Sequence, residues 1–174
     1  MRNDLGRRAR VAAGVVVVAA AACGCIGYRL GSTLPPGIRT VHVPTFINRS
    51  GEPLLESPAT AATLEELQRD GTLSLAGQQD ADALLEVTLT RFILEPLRYD
   101  RNDVKTTSEY RMRIAAELVF TERRTGKELS RRKVEGEATF DPLGDMTNAK
   151  RSVLPKATQD LAHHIVETVV EYWY

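Results

Sequence analysis

From residue 107 to residue 120 the chain alternates with a period of two. Tyr110, Met112, Ile114, Ala116, Leu118 and Phe120 fall on one side, and Arg111, Arg113, Ala115, Glu117 and Val119 on the other. A strand puts successive side chains on opposite faces, so this pattern describes a long strand with one face buried and one face wet. Such a strand needs paired neighbours and an apolar layer over its inner face. Residues 83–94 supply one neighbour, with Leu85, Val87, Leu89 and Ile93 inside and Glu86, Thr88 and Thr90 outside. The polar stretch EPLRYDRNDVK joins the two as a hairpin with a long tip. A second hairpin turns at residues 122–127 around Gly126. Residues 129–140 then return with Val134, Gly136, Ala138 and Phe140 inside and Arg131, Lys133, Glu135 and Glu137 outside.

The layer that covers this sheet is legible at both ends of it. Residues 38–46 alternate as a first strand, which Pro44 places at an edge or ends. After the turn cluster INRSGEP, Ser57 reads as an N-cap with Pro58 at the first helical position, Ala61, Leu64 and Leu67 as an apolar face, and Gly71 as a stop. The last segment carries Leu161, Ala162, Ile165, Val166, Val169, Val170 and Trp173 as a broad apolar stripe, with Pro155 suited to its first turn. The expected architecture is α+β: a two-layer sandwich of an about four-stranded sheet with two helices on one face, in the order β-α-β-β-β-α.

Upstream of this domain, the basic segment MRNDLGRRAR runs into an apolar stretch at residues 11–22 and then into the small residues and cysteines AAACGC. This layout is an export signal. About 12 apolar residues are too few for a helix across a bilayer core of ~30 Å, which takes roughly 20. Cys23 and Cys25 are the chain's two cysteines, so the domain after them contains none and no internal disulfide can staple it. Small residues followed by cysteine resemble a lipoprotein signal, in which the cysteine is acylated and anchors the mature chain. The residue three before either cysteine is Ala rather than Leu, which leaves the acylated residue as Cys25 or Cys23. An ordinary secretory signal with an incidental cysteine pair is the alternative. The expected organisation is a signal at residues 1–24, a Gly- and Pro-rich tether at 25–36 and one domain at 37–174. No Asp follows either cysteine, so the inner-membrane retention signal is missing and the inner leaflet of the outer membrane is the expected destination.

Charge and chemistry then narrow the function. The chain has 23 basic and 23 acidic residues, interleaved along most of its length, which disfavours nucleic acid as a partner. His163 and His164 are adjacent on a helix and His42 is remote, so no metal set forms; Asp160 with His164 and His163 with Glu167 are instead expected as helical neighbours. There is no phosphate-binding glycine loop and no nucleophile motif. An enzyme is not expected, nor is a cofactor. The charged strand face reads as a solvated surface of cross-strand pairs. The candidate anion-binding residues are Arg98, Arg101 and Lys105 in the tip between the long strands, with Tyr99 beside them, and Arg111 on the strand face.

Taken in order, C-I-G-Y-R-L-G at residues 25–31, LPPGIRTVHVPTFINRS, ADALLEVTL, the EPLRYD and SEYRMRI strands and the terminal apolar helix resemble the LptE family. That resemblance implies an outer-membrane lipoprotein on the periplasmic side that plugs and helps assemble the LptD β-barrel and helps deliver lipopolysaccharide to the outer leaflet. A periplasmic lipoprotein scaffold or binding domain for other envelope proteins is the alternative.

Overall fold

The computed structural model describes residues 34–99, 107–142 and 145–171. The chain divides into two compact units, Met1–Gly31 and Ser32–Tyr174, and the described residues belong to the second. Its elements are β1 (Thr40–His42), β2 (Ile47–Asn48), α1 (Glu56–Asp70), β3 (Ser74–Leu75), β4 (Ala83–Tyr99), β5 (Thr107–Glu122), β6 (Glu128–Phe140) and α2 (Met146–Glu171). They make an α+β domain with two helices and a mixed open sheet of six strands, not about four, ordered β3-β1-β4-β5-β6 with β2 on β4. The two additional strands, β2 and β3, are two residues long, too short to show any periodicity, and they change the element order to β-β-α-β-β-β-β-α. Both are parallel additions, β2 to β4 and β3 to β1, while β4, β5 and β6 form antiparallel hairpins.

The inner face follows the sequence pattern on β5 and departs from it on β4. Met112, Ile114, Ala116, Leu118 and Phe120 are all buried. On β4 the register with β5 slips between Leu89 and Arg91, so Thr90 is an extra residue whose hydroxyl donates to the Ala115 carbonyl at 3.1 Å. A bulge of one residue exchanges the two faces beyond it. Phe92 and Leu94 therefore sit opposite Ile114 and Met112 on the inner side, and Ile93 faces out opposite Arg113. The strand also runs past Leu94 through Pro96. Beyond Leu89, β4 has β5 on one side and no partner strand on the other among the described residues, so the missing proline N–H costs no ladder bond there.

Both helices begin differently from the sequence expectation. Helix α1 starts at Glu56, and Ser57 and Pro58 lie inside its first turn. Its entry is held by Asn48, whose amide donates to the Glu52 carbonyl at 2.8 Å and to Glu56 Oε2 at 2.7 Å. Gly71 ends it in the left-handed conformation, φ 74°, with its N–H on the Leu67 carbonyl. Helix α2 starts at Met146, and Asp145 caps it by accepting the Thr147 N–H at 2.9 Å. Pro155 thus lies within the helix, and Thr158 Oγ1 bonds the Leu154 carbonyl there. Beyond Pro155, Leu161, Ala162, Ile165, Val166, Val169 and Val170 are buried as a stripe; Trp173 lies outside the described residues.

Helix α2 packs on β5 and β6, and α1 packs on α2 and β3. Their apolar faces and the inner face of the sheet form one core. The closest approach is at Gly136 on β6, where a Cβ would lie 2.4 Å from the Leu161 nitrogen and 2.6 Å from its Cα. The backbone of α2 cannot yield there as a flexible side chain would. Gly136→Ala should therefore cost about 1–3 kcal/mol as overpacking. In a domain of this size that lowers Tm by roughly 3–12 °C, which a thermal melt followed by circular dichroism will read.

Candidate functional site

The face of the sheet away from the helices is a ladder of charge on β4, β5 and β6. Arg113, at the centre of β5, donates to Glu95 on β4 at 3.0 Å and to Glu135 on β6 at 2.9 Å. Arg131 bridges Glu117 at 3.1 Å and Glu128 at 2.7 Å. Arg111 Nε lies 3.6 Å from Glu137 Oε2, an ion pair too long to be a hydrogen bond. The registry produces the cross-strand contacts, because residues opposite or diagonal across strands share a face, whereas Glu128 reaches Arg131 from three residues earlier on β6. The Glu135 and Glu95 carboxylates beside Arg113, and the Glu128 and Glu117 carboxylates beside Arg131, hold both guanidinium groups firmly charged. Arg111, Arg113 and Arg131 are thus neutralised within the face, while Arg91, opposite Ala115, and Lys133, opposite Glu117, have no ion pair among the described residues.

The candidate anion-binding residues are divided by the structure. Arg98 sits near the end of β4, exposed and 3.7 Å from Glu109 Oε2. Arg111 stands on the same hairpin, opposite Glu95, two residues beyond Glu109 on β5. Arg101 and Lys105 lie outside the described residues, as do Cys23 and Cys25. Among the described residues no three His, Cys, Asp or Glu side chains are grouped to hold a metal ion. His164 Nδ1 is 3.7 Å from Asp160 Oδ2, as the helical spacing suggests. His163 does not pair with Glu167; it reaches across to Glu66 on α1 at 3.1 Å, because that side of α2 faces α1. Asp160 also accepts the Glu137 N–H at 2.8 Å, which covers one backbone donor on the open edge of β6.

The opposite end of the sheet holds a structure that sequence patterning does not reveal. Asp82, just before β4, accepts the N–H groups of Arg39 and Thr40 at 3.0 Å each and the Thr40 hydroxyl at 2.9 Å. Thr40 Oγ1 in return accepts the Asp82 N–H at 2.9 Å. This reciprocal clasp joins positions 42 residues apart and fixes where the chain enters β1. Beside it lies a cleft of about 370 Å³ between residues 36–38 and the β5–β6 turn, lined by Asp82, Glu122, Arg123 and Arg124.

No helix among the described residues is long and apolar enough to cross a membrane, and a small α+β domain of this kind is found in several solved structures. The fold is shared with a minor lipoprotein of Acinetobacter baumannii (18% identity, 78% of this chain and 92% of that one, TM-score 0.51). It is shared too with a hypothetical protein of Chlamydia trachomatis (9% identity, 76% and 95%, TM-score 0.55). A protein of Xanthomonas campestris is similar again (11% identity, 78% and 88%, TM-score 0.54). No curated protein matches the sequence. The model of the LptE family, described as lipopolysaccharide assembly, matches residues 38–169, and the chain belongs to that family. It is accordingly a cell-envelope lipoprotein with a role in lipopolysaccharide assembly.

The clasp generates a pH dependence. The Arg39 N–H, then the Thr40 hydroxyl and N–H, hold the Asp82 carboxyl below the usual carboxylate range. A depressed pKa contributes stability above the unfolded value, about 3.9, and loses it as pH falls through the folded one. Asp82→Asn should therefore destabilise the domain by roughly 1 kcal/mol at pH 7, discounted for partial exposure, and by much less at pH 3. Urea denaturation at the two pH values measures both arms.

Proposed function

We propose that this chain is a non-catalytic outer-membrane lipoprotein, acylated at Cys25 or Cys23. On this reading it plugs an LptD-like β-barrel from the periplasmic side, assists its assembly and helps deliver lipopolysaccharide to the outer leaflet. Membership of the family supports the general role. The observation that carries the finer reading is the uncovered sheet face, on which Arg113 and Arg131 are each shared between two carboxylates. A barrel lumen is polar and water-lined, so a plug presents a surface that needs neither apolar cover nor a partner's countercharge. A face of internally paired charges meets that condition.

Lipopolysaccharide phosphates would be met at the tip of the β4–β5 hairpin by Arg98, Arg101 and Lys105, with Arg111 behind them. Arg98 and Arg111 support this by standing on one hairpin within two rows of each other. Planar guanidinium forks bind phosphate oxygens in pairs.

Two measurements test the proposal together. Detergent extracts of the native membrane should yield the chain with a large β-barrel in equal amount, its intact mass showing a diacylglyceryl cysteine. Arg98→Ala with Arg101→Ala should keep that co-purification and weaken lipopolysaccharide binding by about tenfold at low salt, less at high salt. Recovery with other envelope proteins and no barrel would instead support the scaffold reading, and unchanged glycolipid binding would remove the tip from the site.

A further inference from the structure

The β5–β6 end of the domain has a charge balance unlike that of the rest. Residues 122–133, ERRTGKELSRRK, carry six basic side chains and two acidic ones, in a chain whose net charge is zero. Both acids are already engaged within the hairpin: Glu122 pairs with Arg124 at 3.2 Å and Glu128 with Arg131 at 2.7 Å. Arg123, Lys127, Arg132 and Lys133 are exposed, and none has a carboxylate within 4 Å among the described residues. The acids Asp80 and Glu86, before and on β4, also lack an ion pair and offset this charge in part. On the outer face Arg111, Arg113 and Arg131 each have a carboxylate within 4 Å, whereas Arg123, Lys127, Arg132 and, at the end of that face, Lys133 have none among the described residues.

The same end is where the chain enters the domain. β1 runs parallel to β4, and Val41 lies opposite Ala83, which itself lies opposite Glu122. The Arg123 N–H donates to the Asp82 carbonyl at 2.9 Å, and Asp82 clasps Arg39 and Thr40. Residues 36–38 therefore line one cleft with Glu122, Arg123 and Arg124. Cys25 is nine residues before Leu34. That length spans at most about 30 Å when fully extended, and about 40 Å from Cys23, so an acyl anchor at either cysteine keeps this end of the domain within about 40 Å of the bilayer.

We propose that the β5–β6 end docks on the anionic phospholipid headgroups of the membrane that holds the acylated N-terminus, through Arg123, Lys127, Arg132 and Lys133. The tether supplies proximity and the cations supply orientation. Basic side chains next to an anionic surface each shift such an equilibrium about fivefold, within a Debye length of about 10 Å. The β4–β5 tip then lies at the opposite end of the hairpins from this contact. This inference rests on the acylation in the proposed function, and its test separates the two.

The full acylated chain, inserted into phosphatidylcholine vesicles with or without phosphatidylglycerol, is exposed to trypsin, and cleavage after Arg123, Arg124 and Lys127 is followed by mass spectrometry. Docking predicts association with both vesicles, and cleavage about tenfold slower with phosphatidylglycerol, a protection lost at high salt. Lys127→Gln with Arg132→Gln and Lys133→Gln should abolish the protection of the bonds after Arg123 and Arg124 and leave the thermal melt unchanged, while Lys156→Gln on α2 should leave it intact. Association with both vesicles and equal cleavage in each would overturn docking and leave acylation standing. Failure to associate with either would overturn the anchor and docking together. Protection by lipopolysaccharide-containing vesicles alone would assign the cations to glycolipid and overturn the phospholipid surface.

Discussion

Helix α2 crosses β6 at a point where Gly136 has no room for a side chain, and the rest of the architecture depends on that contact. It brings the helical backbone within touching distance of the sheet, so the stripe from Leu161 to Val170 can interlock with the inner faces of β5 and β6. It also places Asp160 against the open edge of β6. Helix α1 is then held between α2 and β3, and both helices are committed to one face of the sheet. The other face is left without cover. An uncovered sheet face must be polar, and here it is polar in a particular way, with charges paired across strands instead of left to attract a ligand or another sheet.

That division of labour gives the domain two chemically distinct surfaces besides its helical side. The ladder around Arg113 and Arg131 is neutral at short range and suits a wet, polar enclosure. The β5–β6 end is cationic and adjoins the point where the chain enters. Between them the Asp82–Thr40 clasp ties the start of β1 to the start of β4, so the entry point cannot drift relative to the hairpin. A lipoprotein of lipopolysaccharide assembly has use for both, one surface for the proposed barrel and one for the proposed membrane contact.

Much of this was legible in the residues and some of it was not, for identifiable reasons. The long alternation of β5 and the apolar stripe of α2 were readable because each repeats over several turns or rungs, and both stand. Ile93 faces out rather than in because one extra residue, Thr90, exchanges the faces of β4, and a bulge leaves no periodic trace. β2 and β3 were invisible because two residues carry no period. Pro155 suggested a helix start, yet the stronger signal was Asp145, whose side chain caps the first turn one residue before Met146. In the candidate site, the mixed charges of the strand face announced cross-strand pairing, and the partners are largely those that registry allows. Residues 122–127 read as a turn and residues 129–133 as the start of a strand; the excess of cations there is countable in the sequence, but which of them lack partners requires the structure.

The uncovered, charge-paired face of the sheet is the surface proposed to meet the barrel. A photo-crosslinking amino acid placed at Ala115, on that face, and separately at Lys156, exposed on α2, tests it in intact cells. An adduct between the Ala115 position and a β-barrel protein, stronger than any formed from Lys156, is the expected result. Crosslinking to the barrel from Lys156 with none from Ala115 would contradict it.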